Sequence, residues 1–123
     1  MAHILLVDDE VEFRQLLKNI LVLEGHDVEC ASNGNEALGL SRRSAFDLVV
    51  TDLIMPEKEG IEMMMDLRKE SPKLKIIAMT GGGFGSADDY LSFARALGAV
   101  KTLAKPFTRN EILEAISSSF EAA

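Results

Sequence analysis

Cysteine, long apolar runs and positive charge are all scarce in this chain, and each scarcity excludes something. With a single cysteine among 123 residues, no intrachain disulfide can form. Cys30, in a short apolar alternation with Val28, reads as a core thiol. No stretch reaches the ~18 consecutive apolar residues of a membrane-spanning helix. The start, Met1-Ala2-His3-Ile4, has neither the basic region nor the cleavage site of a signal peptide. Both features point to a cytoplasmic protein without a membrane partner. The 13 Lys and Arg are outnumbered by 20 Asp and Glu, for a net charge of −7, which argues against direct nucleic-acid or anionic-membrane binding through a broad basic face. Internal repeats, linkers and low-complexity tracts are absent. So are both glycine-rich nucleotide loops, Gly-x-x-x-x-Gly-Lys-Ser/Thr and Gly-x-Gly-x-x-Gly.

What is present suits one globular domain spanning 1–123: 47% of the residues are hydrophobic and 27% charged, enough apolar material for a full core. Strands and helices alternate. Ile4-Leu5-Leu6-Val7 reads as a first strand, followed by a helix with Phe13, Leu16, Leu17, Ile20 and Leu21 at helical spacing and a glycine stop at Gly25. A second strand runs from Asp27 to Ala31, a turn covers Asn33-Gly34-Asn35, and a short helix from Glu36 to about Arg43 buries Ala37 and Leu40. The third strand ends at Asp52. Ile61, Met64, Met65 and Arg68 mark a helix that Ser71-Pro72 terminates. Lys75 to Met79 forms a fourth strand, and Asp88 to about Leu97 a helix stopped by Gly98. Val100 to Ala104 forms the fifth strand. Thr108-Arg109-Asn110-Glu111 is a capping box opening a last helix with an Ile112, Leu113, Ile116, Phe120 stripe.

Five strands in strict alternation with five helices imply right-handed crossovers and a mostly parallel α/β sheet covered on both faces. Ligands of such sheets bind beyond the carboxyl ends of the strands. Four strands here end in reactive polar groups: Asp8-Asp9-Glu10, Asp52, Thr80 and Lys105. Each has a bland alternative, as a helix cap, a turn former, a loop hydroxyl or a solvated lysine. Five of these, Asp8, Asp9, Asp52, Thr80 and Lys105, on four strand ends are too many to be assigned separately that way. Electrostatics adds an objection. Neighbouring strands lie ~4.8 Å apart, and two carboxylates ~4 Å apart at an effective dielectric of ~20 repel by ~4 kcal/mol. Asp9 and Asp52 at adjacent strand ends therefore call for a cation, and hard oxygen ligands partly open to water suit Mg2+. A nearby lysine then fits as a point charge for a phosphoryl oxygen.

These residues resemble the response-regulator receiver domains of two-component signalling, similar over the whole length to the single-domain chemotaxis type. The motifs are an acidic pair after the first strand, Asp-x-x-Met-Pro at the third, Thr after the fourth and Lys-Pro-Phe after the fifth. The resemblance implies a flavodoxin-like (βα)5 fold with strand order 2-1-3-4-5. It implies Asp52 as the phosphoacceptor, taking its phosphoryl group from a sensor histidine kinase or histidine phosphotransfer protein, in a signalling domain that is not itself an enzyme. It implies Mg2+ held by Asp9, Asp52 and the backbone carbonyl of Ile54, with Asp8 acting through a metal-bound water. Lys105 would neutralise phosphoryl charge, Thr80 would hydrogen-bond a phosphoryl oxygen, and Lys105-Pro106 would be cis. The partners implied are the phosphohistidine donor and an unnamed downstream protein, for a monomer or weak dimer.

Two positions depart from the family pattern. Thr102 stands three residues before the lysine, where receivers usually carry an aromatic residue. Gly81-Gly82-Gly83-Phe84-Gly85-Ser86 makes a glycine-rich connection, expected to be a mobile switch loop. Rival functions fit less well. A haloacid-dehalogenase-type phosphatase needs a second Asp two residues after the nucleophile, and Ile54 stands there. A flavin carrier needs a first loop that holds phosphate, which Asp8-Asp9-Glu10 would repel. A receiver belonging to a longer regulator remains open.

Overall fold

The structure, a computed structural model, describes residues 2–53, 60–81, 92 and 94–121. Five parallel strands, β1 (His3–Val7), β2 (Asp27–Ala31), β3 (Leu48–Asp52), β4 (Lys75–Thr80) and β5 (Lys101–Ala104), form one sheet in the order β2-β1-β3-β4-β5. The order and direction are those expected. Helices α1 (Val11–Leu23), α2 (Gly34–Arg43), α3 (Gly60–Glu70) and a C-terminal helix (Arg109–Glu121) cover the sheet. Residues 92 and 94–96 are helical and belong to the helix expected over Asp88 to about Leu97, half of which lies outside the described residues.

Side chains alternate across a strand, and the core divides accordingly. Ile4, Leu6, Leu48, Val50, Ile77 and Met79 pack with Leu17 and Leu21 of α1 and Ile112 and Ile116 of the C-terminal helix. Leu5, Val7, Val49, Ile76 and Ala78 face the other way, against Leu38, Met63, Met64 and Leu67 of α2 and α3. Every residue of β3 is buried, as a central parallel strand requires.

Local chemistry sets the element ends. Asn33 caps α2 through a bond from the Glu36 amide to its side chain. The helix therefore starts at Gly34, earlier than the expected Glu36, and the segment read as a turn is its first turn. Thr108 and Glu111 exchange backbone-to-side-chain bonds of 2.9 and 3.1 Å, completing the expected capping box. Gly25 and Gly98 end their helices at φ +91° and +101°, a region that disfavours other residues.

Three expected core positions are not core. Leu16 is 59% exposed, Met65 46% and Phe120 42%; their expected neighbours Leu17 and Met64 are buried, and Ser119 is buried in place of Phe120. One-residue errors of this kind arise because 3.6-residue periodicity fixes a face only to within a neighbouring position. Cys30 is half-buried rather than fully inside, and burial raises its thiol pKa.

Candidate functional site

Strand register builds the site. Val7 lies opposite Thr51, so the next residues, Asp8 and Asp52, fall side by side beyond the two central strands. Alternation does the rest. Asp8 follows Ile4 and Leu6, Asp52 follows Leu48 and Val50, and Lys105 follows Leu103, all on the face covered by α1 and the C-terminal helix. Thr80 has the opposite parity and ends β4 beside Ala104. The Lys105 amide donates to the Thr80 carbonyl at 2.8 Å, tying the two strand ends together.

Side-chain geometry follows from that placement. Lys105 Nζ donates to Asp8 Oδ2 at 2.7 Å and to Asp52 Oδ2 at 2.9 Å, and stands 3.4 Å from Glu10 Oε1. It also lies 4.1 Å from the centroid of the Phe13 ring, whose face attracts a cation. Asp8 is fully buried. Its Oδ1 accepts the Glu10 amide at 2.9 Å and its backbone carbonyl accepts Arg14 Nη1 at 2.7 Å, which fixes the turn into α1. Burial raises the Asp8 pKa, opposed by its bonds to Lys105 and the Glu10 amide. Burial depresses the Lys105 ammonium, but the bonds to Asp8 and Asp52 outweigh it and leave the pKa raised. Lys105-Pro106 is cis, as expected.

The Asp52 backbone is held closely. Thr51 Oγ1 donates to the Asp52 carbonyl at 2.9 Å. A Cβ at Gly60 would sit 2.1 Å from that same carbonyl oxygen. Only glycine allows α3 to begin so near the strand end.

Carboxylate oxygens of Asp8, Glu10 and Asp52 lie within 4.8 Å of one another and form the one group of this kind among the described residues. The donors are all oxygen, two are buried, and Lys105 already bridges them, so the set fits a hard divalent cation. Asp9, assigned by resemblance as a direct ligand, is exposed and outside this group. Like-charge repulsion from Asp52 adds to the raised pKa of Asp8. Glu10 received no role from the sequence, although its i+2 spacing from Asp8 carried the signal. Ile54 and the loop from Gly82 to Ser86 lie outside the described residues. Thr102 Oγ1 accepts Arg95 Nη2 at 3.0 Å and Nε at 3.3 Å. A long cation from the preceding helix thus reaches the position where the family's aromatic residue is missing.

A family model described as the response regulator receiver domain matches residues 4–117. The chain belongs to that family of two-component signalling domains. It is 40% identical over 118 residues to a transcriptional regulatory protein CpxR homolog of Haemophilus influenzae, covering 96% of this chain and 50% of that protein. A CheY-like receiver domain protein of Methanospirillum hungatei superposes with a TM-score of 0.90 at 30% identity, covering 98% of this chain and 94% of that one. TrrA of Thermotoga maritima, solved in complex with Mg2+-BeF, gives 0.86 at 34% identity over 97% and 99% of the two chains. The chain thus spans about half the length of the Haemophilus relative. The family match supports the receiver reading over the phosphatase alternative. No helix among the described residues is long and apolar enough to cross a membrane.

Proposed function

We propose that residues 1–123 form one receiver domain in which Asp52 accepts a phosphoryl group from a phosphohistidine on a sensor histidine kinase or histidine phosphotransfer protein. The observation that carries this reading is a buried carboxylate at the end of the central strand, bonded to Lys105 and flanked by Asp8 and Glu10. An Asp52 carboxylate oxygen attacks phosphorus. The P–N bond to the donor imidazole breaks, the imidazole nitrogen keeps the electron pair, and Asp52 becomes an aspartyl phosphate. Mg2+, held by Asp52 with Asp8, Asp9 or Glu10 and the Ile54 carbonyl, would supply positive charge to the phosphoryl oxygens. Lys105 then turns from the carboxylates to one phosphoryl oxygen, which its single flexible ammonium suits. Thr80, at the adjoining strand end, donates its hydroxyl to another. Drawing Thr80 inward biases the connection that follows β4, and a downstream protein reads that change. The domain works in the cytoplasm as a signalling switch rather than a turnover enzyme, as a monomer or weak dimer.

The TrrA complex with Mg2+-BeF supports this reading by likeness, since that protein takes a divalent cation with a phosphoryl mimic. The test is incubation with acetyl phosphate and Mg2+ followed by intact mass. The parent should gain one base-labile phosphoryl group and Asp52→Asn none. Equal labelling of the Asn variant at the same site would remove Asp52 as the acceptor.

A further inference from the structure

The chain's two histidines lie far from the acidic site, at the amino end of the sheet. His3 opens β1 and stacks on Phe46 with ring centroids 4.3 Å apart. Its Nδ1 is 2.6 Å from the Ala45 carbonyl oxygen and its Nε2 is 2.8 Å from Glu29 Oε2. A carbonyl and a carboxylate only accept, so both ring nitrogens must donate. An imidazole with two N–H groups is the charged form. His26 has the opposite requirement. Its Nδ1 lies 3.0 Å from the Ala2 backbone nitrogen, which donates. Nδ1 must therefore carry a lone pair, which makes His26 neutral with its proton on Nε2.

We propose that His3 and His26 form a double latch on the first strand, closed when His3 is charged and His26 neutral, and opened on one side by acid and on the other by base. The two bonds act on consecutive residues, Ala2 and His3. His3 ties β1 to β2 through Glu29 and to the α2–β3 connection through Ala45. His26 ties the residue preceding β1 to the α1–β2 connection. Loss of the His3 proton forces it to release either Ala45 or Glu29. Protonation of His26 puts a donor against the Ala2 amide.

The charged neighbours agree with this assignment. Glu29 and Asp27 of β2 face His3, and Asp47 accepts the His3 backbone N–H at 2.8 Å. The Ala45 carbonyl raises the His3 pKa, burial opposes it and Glu29 adds to it. Burial lowers the His26 pKa and the amino-terminal charge lowers it further, while Glu24 at the end of α1 partly offsets both. Asp47 and Phe120 line a cavity of about 350 Å3 with Ala2 and His26. A raised folded pKa stabilises below the unfolded value and the effect is lost as pH rises through the folded value. A lowered one stabilises above the unfolded value and the effect is lost as pH falls. The two contributions therefore add to a maximum near the ordinary histidine pKa of ~6.5 and decline on both sides.

Imidazole 15N NMR titration of the parent tests the latch, and it needs no variant. His3 should titrate above an unfolded-peptide reference and His26 below it, with His26 in the Nε2–H form at neutral pH. Melting temperature against pH adds a second readout. His3→Gln should flatten the decline on the alkaline side. His26→Asn, whose amide oxygen can still accept from Ala2, should flatten the decline on the acid side. The latch is overturned if both histidines titrate at the reference value, if His26 carries its proton on Nδ1, or if the double variant keeps the parent's profile. Should the variants not fold, the parent's titration alone decides.

Discussion

The two ends of this sheet handle charge in opposite ways. At the amino end, cations meet acceptors from the protein's own chain. Arg68 donates to the carbonyls of Pro72, Leu74 and Gly98. Lys75 Nζ donates to the Ser119 carbonyl at 2.6 Å and lies over the Phe120 ring. His3 is held between Ala45 and Glu29. At the carboxyl end, three carboxylates converge on one ammonium. One end meets its cations with the protein's own acceptors, although Arg68 Nε is buried without a hydrogen-bond partner among the described residues. The other gathers three carboxylates around that ammonium, a concentration of like charge that a bound cation would relieve, and such clustering is what a functional site costs a fold in stability.

The comparison is most sharply tested at Lys105. Lys105→Met removes the ammonium bridging two buried carboxylates and should destabilise the protein in chelator by about 3 kcal/mol, the scale of breaking a buried pair. Added Mg2+ should restore more stability to this variant than to the parent. A variant as stable as the parent in chelator would show that Lys105 is not what shields the site.

At the amino end, Arg68→Met should cost about 1.5–3 kcal/mol, as for hydrogen bonds to a charged group. Chemical denaturation measures it. The stabilisation by Mg2+ should be unchanged; an altered Mg2+ response would mean the two ends are coupled and the contrast is false.

The smallest effect has the opposite sign. Asp8→Asn relieves surplus charge and should raise the melting temperature in chelator by about 3–5 °C, corresponding to ~1 kcal/mol, while reducing the stabilisation by Mg2+. Its pH dependence follows from the raised Asp8 pKa. The protonated buried carboxyl stabilises the parent below the ordinary aspartate value, and that contribution disappears as pH rises through the raised one. The gap between variant and parent should therefore widen from acid to neutral pH. A gap that is constant with pH would show that Asp8 titrates alike in the folded and unfolded states.

Much of this was legible in the residues. Strand cores are continuous apolar runs, caps are local, and the alternation of elements dictates a parallel sheet, so fold class and strand ends could be read from spacing alone. The identities of Asp8, Asp52, Thr80 and Lys105 announced an acidic site with one lysine, and the receiver motif named the family. The choice among the neighbours Asp8, Asp9 and Glu10 was not legible in the same way. It depends on which carboxylates are brought beside Asp52, and that follows from register with β3, a pairing between residues more than forty positions apart. The same holds for Arg95 reaching Thr102 and for Gly60 against the Asp52 carbonyl, since neither contact leaves a local trace. Composition and periodicity determined which elements form and which chemistry they carry. Only the assembled sheet decided that one lysine would sit among three carboxylates, and that two histidines would need opposite protonation states, because both depend on donors and acceptors that the chain brings together from distant positions.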